Sequence, residues 1–239
     1  MRAAGLVLAG GSGTRIGAGS NKVYMTVAGR SLLSYALETF ERFSPVDRIV
    51  LVIRDADRNL AERALQEAGV SKPVEMVPGG ESRHASELAG LEVLEQAIGA
   101  RSLDLVVVHD GARPFVTVDL LAAVTEAATR SGGAVPALPV EAPLFRRDSA
   151  QPLPGDTIRT VQTPQAFRAG PLLEAYRRAA QEGFEGVDTS ETVTRFSDLE
   201  VELVAGDPRN LKVTYPRDLT VAESYASSWE AGRWRRVLR

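Results

Sequence analysis

The sequence predicts an α/β fold built on a mainly parallel sheet, with helices on both faces. Two observations carry that prediction. Short apolar, β-branched runs alternate with segments of helical period along most of the chain, the order expected of repeated strand–helix units. Glycine-rich and charged stretches follow two of these runs, at the strand ends where open α/β sheets hold ligands.

Residues 3–10, AAGLVLAG, read as a buried strand. In 30–43, Leu32, Leu33, Ala36, Leu37 and Phe40 share one helical face. DRIVLVI (47–53) is a second strand, and 56–69 a second helix closed by a glycine. VEMV (74–77) is a short strand, and 84–98 a helix with Leu91, Leu94 and Ile98 in register. DLVVVHD (104–110) is a strand with acids at both ends, followed by a helix at 118–133 and a strand at 133–140. Residues 141–160 hold three prolines, break the alternation and read as a hairpin or arm. The pattern resumes with helices at 170–182 and 188–196, a strand at 200–205 and a helix at 216–228. VQTPQAF (161–167) reads as a polar loop, and the tail WEAGRWRRVLR as a frayed surface helix end. With no linker or internal repeat, 1–239 is expected to be a single domain with an arm at about 139–162.

Bulk properties exclude several classes. The 239 residues are 44% hydrophobic and 25% charged, ordinary for a globular domain. A formal net charge of -3 argues against a general nucleic-acid binder. Anionic substrates must then be drawn by local cations rather than by the whole molecule. The absence of cysteine excludes disulfides, thiolate metal sites and a cysteine nucleophile. With His84 and His109 the only histidines, a histidine-based metal cluster is not expected. No apolar stretch approaches the roughly 20 residues that span a bilayer, and the start MRAAGLVLAGG is no signal peptide. The expected location is the cytoplasm, with no membrane or nucleic-acid partner.

The loop after the first strand, LAGGSGTRIGAGSNKVY (8–24), departs from both common phosphate-loop patterns. Ile16 stands where a dinucleotide fingerprint needs its third glycine, and Lys22 lies between Asn21 and Val23 rather than in Gly-Lys-Ser/Thr. What remains is Gly11-x-Gly13-x-Arg15, with Lys22 seven residues on. Glycines let backbone N–H groups approach a phosphate closely. Arg15 can grip phosphate oxygens with a planar fork, and Lys22 can neutralise charge that builds up in nucleotidyl transfer. GGESRHAS (79–86) places Ser82, Arg83 and Ser86 at a helix N-terminus, where anions are favoured. Plain helix capping by Ser82 is the alternative there. In HDGARP (109–114), Asp110 can hold Mg²⁺ and Arg113 a phosphate, while His109 reads as a satisfied strand-end histidine. Asn210 and Lys212 would face the same side of a strand, with a solvated lysine as the default reading.

Together AGGSGTRIG…NKVY, GGESRHAS, VHDGARP, VQTPQAF and NLKVTYPRDL resemble the 2-C-methyl-D-erythritol 4-phosphate cytidylyltransferases and their sister pentitol-phosphate cytidylyltransferases. The likeness runs over nearly the whole chain, and HDGARP followed by TPQAF is its specific part. It implies a Rossmann-like sheet of the nucleotide-diphospho-sugar transferase type with a protruding β-arm. It also implies transfer of CMP from CTP to the polyol phosphate with Mg²⁺, pyrophosphate release, and a homodimer formed through the arm. By the same resemblance Arg15 and Lys22 are catalytic. Ala9, Gly10, Gly11, Ser12, Gly13, Gly80, Arg83 and Ser86 bind the nucleotide. Asp110, Arg113, Thr163 and Lys212 bind the acceptor, with Asp110 at the metal.

Some positions depart from that pattern. Asn21-Lys22-Val23 replaces the usual Pro-Lys-Gln, and Glu81 replaces an aspartate. In the arm, Ala142, Pro143 and Phe145 stand where the family has Asp-Thr and a lysine, and the arginine before Thr-Pro-Gln is missing. Arg146, Arg147 and Arg159 are the nearby cations. The nucleotide half is thus kept and the arm's acceptor half rebuilt. Alternative readings are another acceptor such as ribitol 5-phosphate, another nucleotide, or a non-catalytic CTP-binding homologue.

Overall fold

The computed structural model describes residues 1–11, 21–230 and 232–234. The chain begins with β1 (Ala3–Leu8) and, after a 3-10 turn at Lys22–Tyr24, a small ribbon of β2 (Thr26–Val27) and β3 (Arg30–Ser31). Next come α1 (Leu32–Arg42), β4 (Val46–Ile53), α2 (Arg58–Glu67), β5 (Val74–Pro78), α3 (Arg83–Glu92), α4 (Glu95–Gly99) and β6 (Leu105–Asp110). Then α5 (Val118–Ser131) leads to β7 (Gly132–Pro139), the ribbon β8 (Leu144–Phe145) with β9 (Pro152–Leu153), β10 (Arg159–Val161) and β11 (Gln165–Arg168). The chain closes with α6 (Ala169–Gln181), α7 (Thr189–Phe196), β12 (Glu200–Ala205), α8 (Pro216–Ala226) and the ribbon β13 (Trp229–Glu230) with β14 (Arg233–Trp234).

Eight of these strands form the central sheet, in the order β5-β4-β1-β6-β11-β7, with β10 and β12 both paired to β7. The β4–β5, β1–β4, β1–β6 and β7–β12 pairs are parallel, while β11 runs against β6 and β7, and β10 against β7. The chain steps outward from β1 to β4 and β5, then crosses back to β6 on the other side of β1. The β1/β6 boundary is therefore the topological switch point, and its carboxyl end is the default ligand crevice.

Side chains alternate between two cores, because successive strand residues point to opposite faces. Val7, Ile49, Leu51 and Val107 pack with Leu33, Leu37 and Phe40 of α1 and with α5. Leu6, Val50, Val52, Val106 and Val108 pack with Leu91 of α3 and Leu172 and Tyr176 of α6. Both faces being covered explains why β4 and β6 are continuous apolar runs. Helix α3 lies close on the sheet at Gly90, where an added Cβ would run into Leu6 and Val52.

Four local expectations differ from what is observed. The helix expected at 84–98 is two helices, because a tighter bond from Leu94 N–H to the Leu91 carbonyl (3.0 Å) interrupts the α register. VQTPQAF is a loop only in part: Gln165–Arg168 is an interior strand, and Gln162, Thr163 and Gln165 are buried. The stretch carrying Lys212 makes no strand, so alternation does not govern it. The described part of the tail is no frayed helix end. Trp229 is 5% exposed and packs its ring on Phe115 (5.5 Å) and Trp234 (5.1 Å) in a third core beneath α8.

Candidate active site

Strand ends converge at the switch point through backbone bonds. Ala9 N–H donates to Val52 O (2.7 Å), Gly79 N–H to Ile53 O (2.8 Å) and Gly111 N–H to Leu8 O (2.9 Å). Above them opens a cleft of about 360 Å³ lined by Gly10, Gly11, Lys22, Gly80, Glu81, Arg83, Ser86, Asp110 and Lys212, among others. Three cations and two acids thus border it among the described residues. The turn into α3 is tight at Gly80, where a Cβ would lie 2.5 Å from that of Ala85. Ser82 caps α3, accepting from Ala85 N–H at 3.0 Å, so its capping reading holds.

Asp110, at the last position of β6, is the hub. Its Oδ2 accepts from Lys212 Nζ at 2.6 Å and its Oδ1 from Arg83 Nη2 at 3.4 Å. Burial opposes its ionisation, but the Arg83 and Lys212 charges outweigh that and hold the carboxyl well below the usual range. Its backbone N–H donates to Thr163 Oγ1 at 3.0 Å. Thr163 in turn meets His109 Nδ1 at 3.2 Å, while His109 Nε2 lies 3.0 Å from the Arg113 carbonyl. A carbonyl only accepts, so Nε2 carries the proton and Nδ1 accepts the threonine hydroxyl. This is the satisfied histidine expected from the sequence. Its burial lowers its pKa from 6.5 to about 4. With only two histidines in the chain, their imidazole NMR signals are separable. The His109 signal should titrate near pH 4, and a midpoint near 6.5, the unperturbed value, would contradict the buried neutral ring. The stability linked to this ring is present above pH 6.5 and is lost as pH falls towards 4.

Lys212 is placed by its neighbours rather than by a strand. Asn210 Nδ2 donates to Thr163 O (2.8 Å), Gln162 Nε2 donates to Asp207 O (2.9 Å), and Val213 N–H donates to Ala112 O (2.9 Å). These bonds tie the 206–213 segment to the turn before β11 and to the end of β6. Arg113 points the same way, its Nη1 donating to Asn210 O at 2.9 Å.

Lys22 opens the 3-10 turn that Asn21 caps, with Asn21 Oδ1 accepting from Val23 N–H at 3.4 Å. Asn21 is 1% exposed, and its Nδ2 donates to Ala9 O (2.5 Å) and Asp57 Oδ2 (3.0 Å). Asp57 is held by a two-point bridge from Arg54 (2.7 and 2.8 Å). Asn21 has φ −68°, a value that proline also adopts. Here side-chain bonds fasten the segment to the end of β1, at the position where the resembling family carries proline. With Lys22 catalytic, as the resemblance implies, replacing Asn21 by alanine should lower kcat by roughly 10- to 100-fold through misplacement of that lysine. Steady-state kinetics with circular dichroism check this, and an unchanged kcat would contradict the fastening role.

The residues expected at the site sort as follows. Gly10, Gly11, Lys22, Gly80, Arg83, Ser86, Asp110 and Lys212 border the cleft, and Ala9 lies directly behind it. Thr163, 2% exposed, sits beneath Asp110 with its hydroxyl turned inward. Arg113 is engaged behind the cleft. Ser12, Gly13 and Arg15 lie outside the described residues. Sequence reasoning missed Glu87, Gln162 and the anchoring by Asn21 and Asn210. Glu87 was detectable as an acid on the inward face of α3, one helical turn from Arg83. In the arm, Arg159 Nη1 donates to the carbonyls of Gly155, Asp156 and Ile158, so the arm's own backbone engages it.

Comparison with known proteins shows the family. Residues 3–228 match the family model described as 2-C-methyl-D-erythritol 4-phosphate cytidylyltransferase. A relative of that name from Geobacillus kaustophilus is 37% identical over 93% of this chain and 96% of its own length. One from Geobacter metallireducens is 37% identical over 92% and 95%. Among solved structures, the 4-diphosphocytidyl-2C-methyl-D-erythritol synthase of Anaerococcus prevotii superposes with a TM-score of 0.82 at 26% identity, over 95% of this chain and 96% of that one. The 2-C-methyl-D-erythritol 4-phosphate cytidylyltransferase of Thermus thermophilus gives 0.71 at 32% identity, over 95% and 100%. The chain is therefore a nucleotidyltransferase and belongs to the 2-C-methyl-D-erythritol 4-phosphate cytidylyltransferase family.

Proposed function

We propose that this chain transfers the cytidylyl group of CTP to 2-C-methyl-D-erythritol 4-phosphate and releases pyrophosphate, a step in making isoprenoid precursors. The observation that carries the reading is the gathering of Lys22, Arg83, Asp110 and Lys212 on one cleft in a chain of this family. A phosphate oxygen of the acceptor bonds to the α-phosphorus as the bond to the pyrophosphate unit breaks, so that acceptor and CMP are joined through a diphosphate. Lys22 faces the charge that grows there, and Arg15 is assigned the same task by family match. Gly10, Gly11 and Gly80 offer backbone to the nucleotide, and Arg83 and Ser86 complete its pocket. Lys212, held by Asp110 at 2.6 Å, is assigned to the acceptor phosphate by family match.

Mg²⁺ fits this donor set. No group of three or more His, Asp or Glu side chains gathers among the described residues, and in this reading Asp110 would be the protein's carboxylate to the metal. Mg²⁺ is commonly held by one or two carboxylates with substrate phosphates and water. Bound there with the triphosphate, it would supply charge neutralisation.

A second copy of the chain completes the assembly in this reading. Residues 141–161 are largely exposed, with Phe145 61% exposed on the β8–β9 ribbon, and a partner protomer would cover them. Sedimentation should then give a dimer, and deletion of the ribbon a monomer with little turnover. No helix among the described residues is long and apolar enough to cross a membrane. The proposed compartment is the cytoplasm, where nucleoside triphosphates are supplied.

The arm also favours a second acceptor reading. Pro143 has no donor to offer a phosphate, and Arg159 is engaged within the arm. The test is a competition among CTP, UTP, GTP and ATP, then a panel of methylerythritol, ribitol and other polyol phosphates. Preference for CTP and methylerythritol phosphate supports the first reading. Turnover of ribitol 5-phosphate alone replaces it with the second.

A further inference from the structure

We propose that Glu87 is a positioning residue that fixes the Arg83 guanidinium at the cleft, so that nucleotide affinity depends on a carboxylate lying wholly beneath the surface. The proposal rests on reading this cleft as the CTP site. Glu87 is 0% exposed. Its Oε1 accepts from Arg83 Nη1 at 2.8 Å and from Thr189 Oγ1 at 2.5 Å, and its Oε2 accepts from Tyr176 Oη at 2.5 Å. Its donors come from three elements, α3, α7 and α6. A buried carboxylate is costly unless charge and hydrogen bonds offset it. Here Arg83 supplies the charge and the two hydroxyls complete the shell.

The guanidinium is thereby divided. One nitrogen is bound down to Glu87, and the other faces the cleft, 3.4 Å from Asp110 Oδ1 and 3.4 Å from Thr189 Oγ1. Without Glu87 the nearest remaining carboxylate is Asp110, which already holds Lys212 at 2.6 Å. Arg83 would then settle onto Asp110 and leave its place at the nucleotide. An apolar side chain would satisfy packing at this inward position of α3 without that cost, so the buried charge is explained by what it does to Arg83. Burial of Glu87 raises its pKa, which marks how much the surrounding donors must offset.

The experiment is a double-mutant cycle on the full chain, with Mg–CTP binding measured by calorimetry and turnover measured alongside. Glu87→Gln keeps the volume and removes the charge. It should raise the CTP Kd and KM by roughly tenfold, the loss of about 1.4 kcal/mol, with kcat changed far less. Arg83→Ala should weaken CTP at least as much. Adding Glu87→Gln to Arg83→Ala should cost nothing more, because Glu87 acts only through Arg83. An unchanged Kd in Glu87→Gln, or losses that multiply in the double variant, overturns the proposal. Should Glu87→Gln fail to fold, Tyr176→Phe takes its place, keeping the ring stacked on His84 at 4.5 Å and removing one donor. It should weaken CTP binding, and only when Arg83 is present; an effect independent of Arg83, or none, overturns the proposal. Failure of the functional reading would be visible in the wild-type chain itself. Binding of CTP without pyrophosphate release would end the proposed transfer and leave the cycle on Kd intact, while absence of CTP binding would end both.

Discussion

Replacing Lys22 by alanine should lower kcat by on the order of 10³ while leaving the fold intact. A preorganised charge aimed at the growing negative charge of a transition state is worth about 10²–10³ or more in rate. In the proposed reading Lys22 carries that charge; it lies at the cleft edge, half-buried at the start of a 3-10 turn, with its main chain fastened by Asn21. Its side chain lies outside the packed cores, so the melting temperature should stay near that of the wild type. Pre-steady-state and steady-state rates at saturating CTP measure the effect. Near-normal kcat in the variant would remove Lys22 from the mechanism. The same loss is expected for Arg15→Ala.

Asp110→Asn should be damaging in two separable ways. Turnover should fall by roughly 10²-fold or more, because the hub that orders Lys212 and Arg83 loses its charge. Stability at neutral pH should fall by about 3 kcal/mol, the low end for breaking a buried ion pair, since both cations remain partly exposed. The pH dependence has a definite sign. Asp110 is held below its unfolded value of 3.8, so its contribution is present above pH 3.8 and is lost as pH falls through the lowered value. Denaturant melts of wild type and variant should therefore differ at pH 7 and converge on acidification. An equal difference at all pH values would show that Asp110 stabilises by packing instead.

The sequence was most informative where periodicity is long and unambiguous. β4, β6, α1 and α5 occupy nearly the spans that their apolar patterns indicate, because burial on defined faces writes the pattern directly into the residues. The loops at the ends of β1, β5 and β6 were recognisable because glycines and cations cluster there, and most of those residues do meet at one cleft. Less visible were the parts set by distant partners. β11 is four residues long and lies beside polar Gln162 and Thr163, yet it joins the sheet because β6 and β7 bracket it. The tail's polar and basic composition hid the fact that Trp229 and Trp234 close a core around Phe115. Asn210 and Gln162 bond to each other's segments across more than 40 positions, a relation that no local pattern carries. Glu87 could have been singled out by its spacing from Arg83, but only the fold shows Tyr176 and Thr189 completing its shell.

The measurement that bears most directly on the central claim is pyrophosphate release by the purified chain given CTP, Mg²⁺ and 2-C-methyl-D-erythritol 4-phosphate. The account predicts release that requires all three and yields the diphosphocytidyl polyol in equal amount. Binding of CTP with no release in the presence of that acceptor would contradict it.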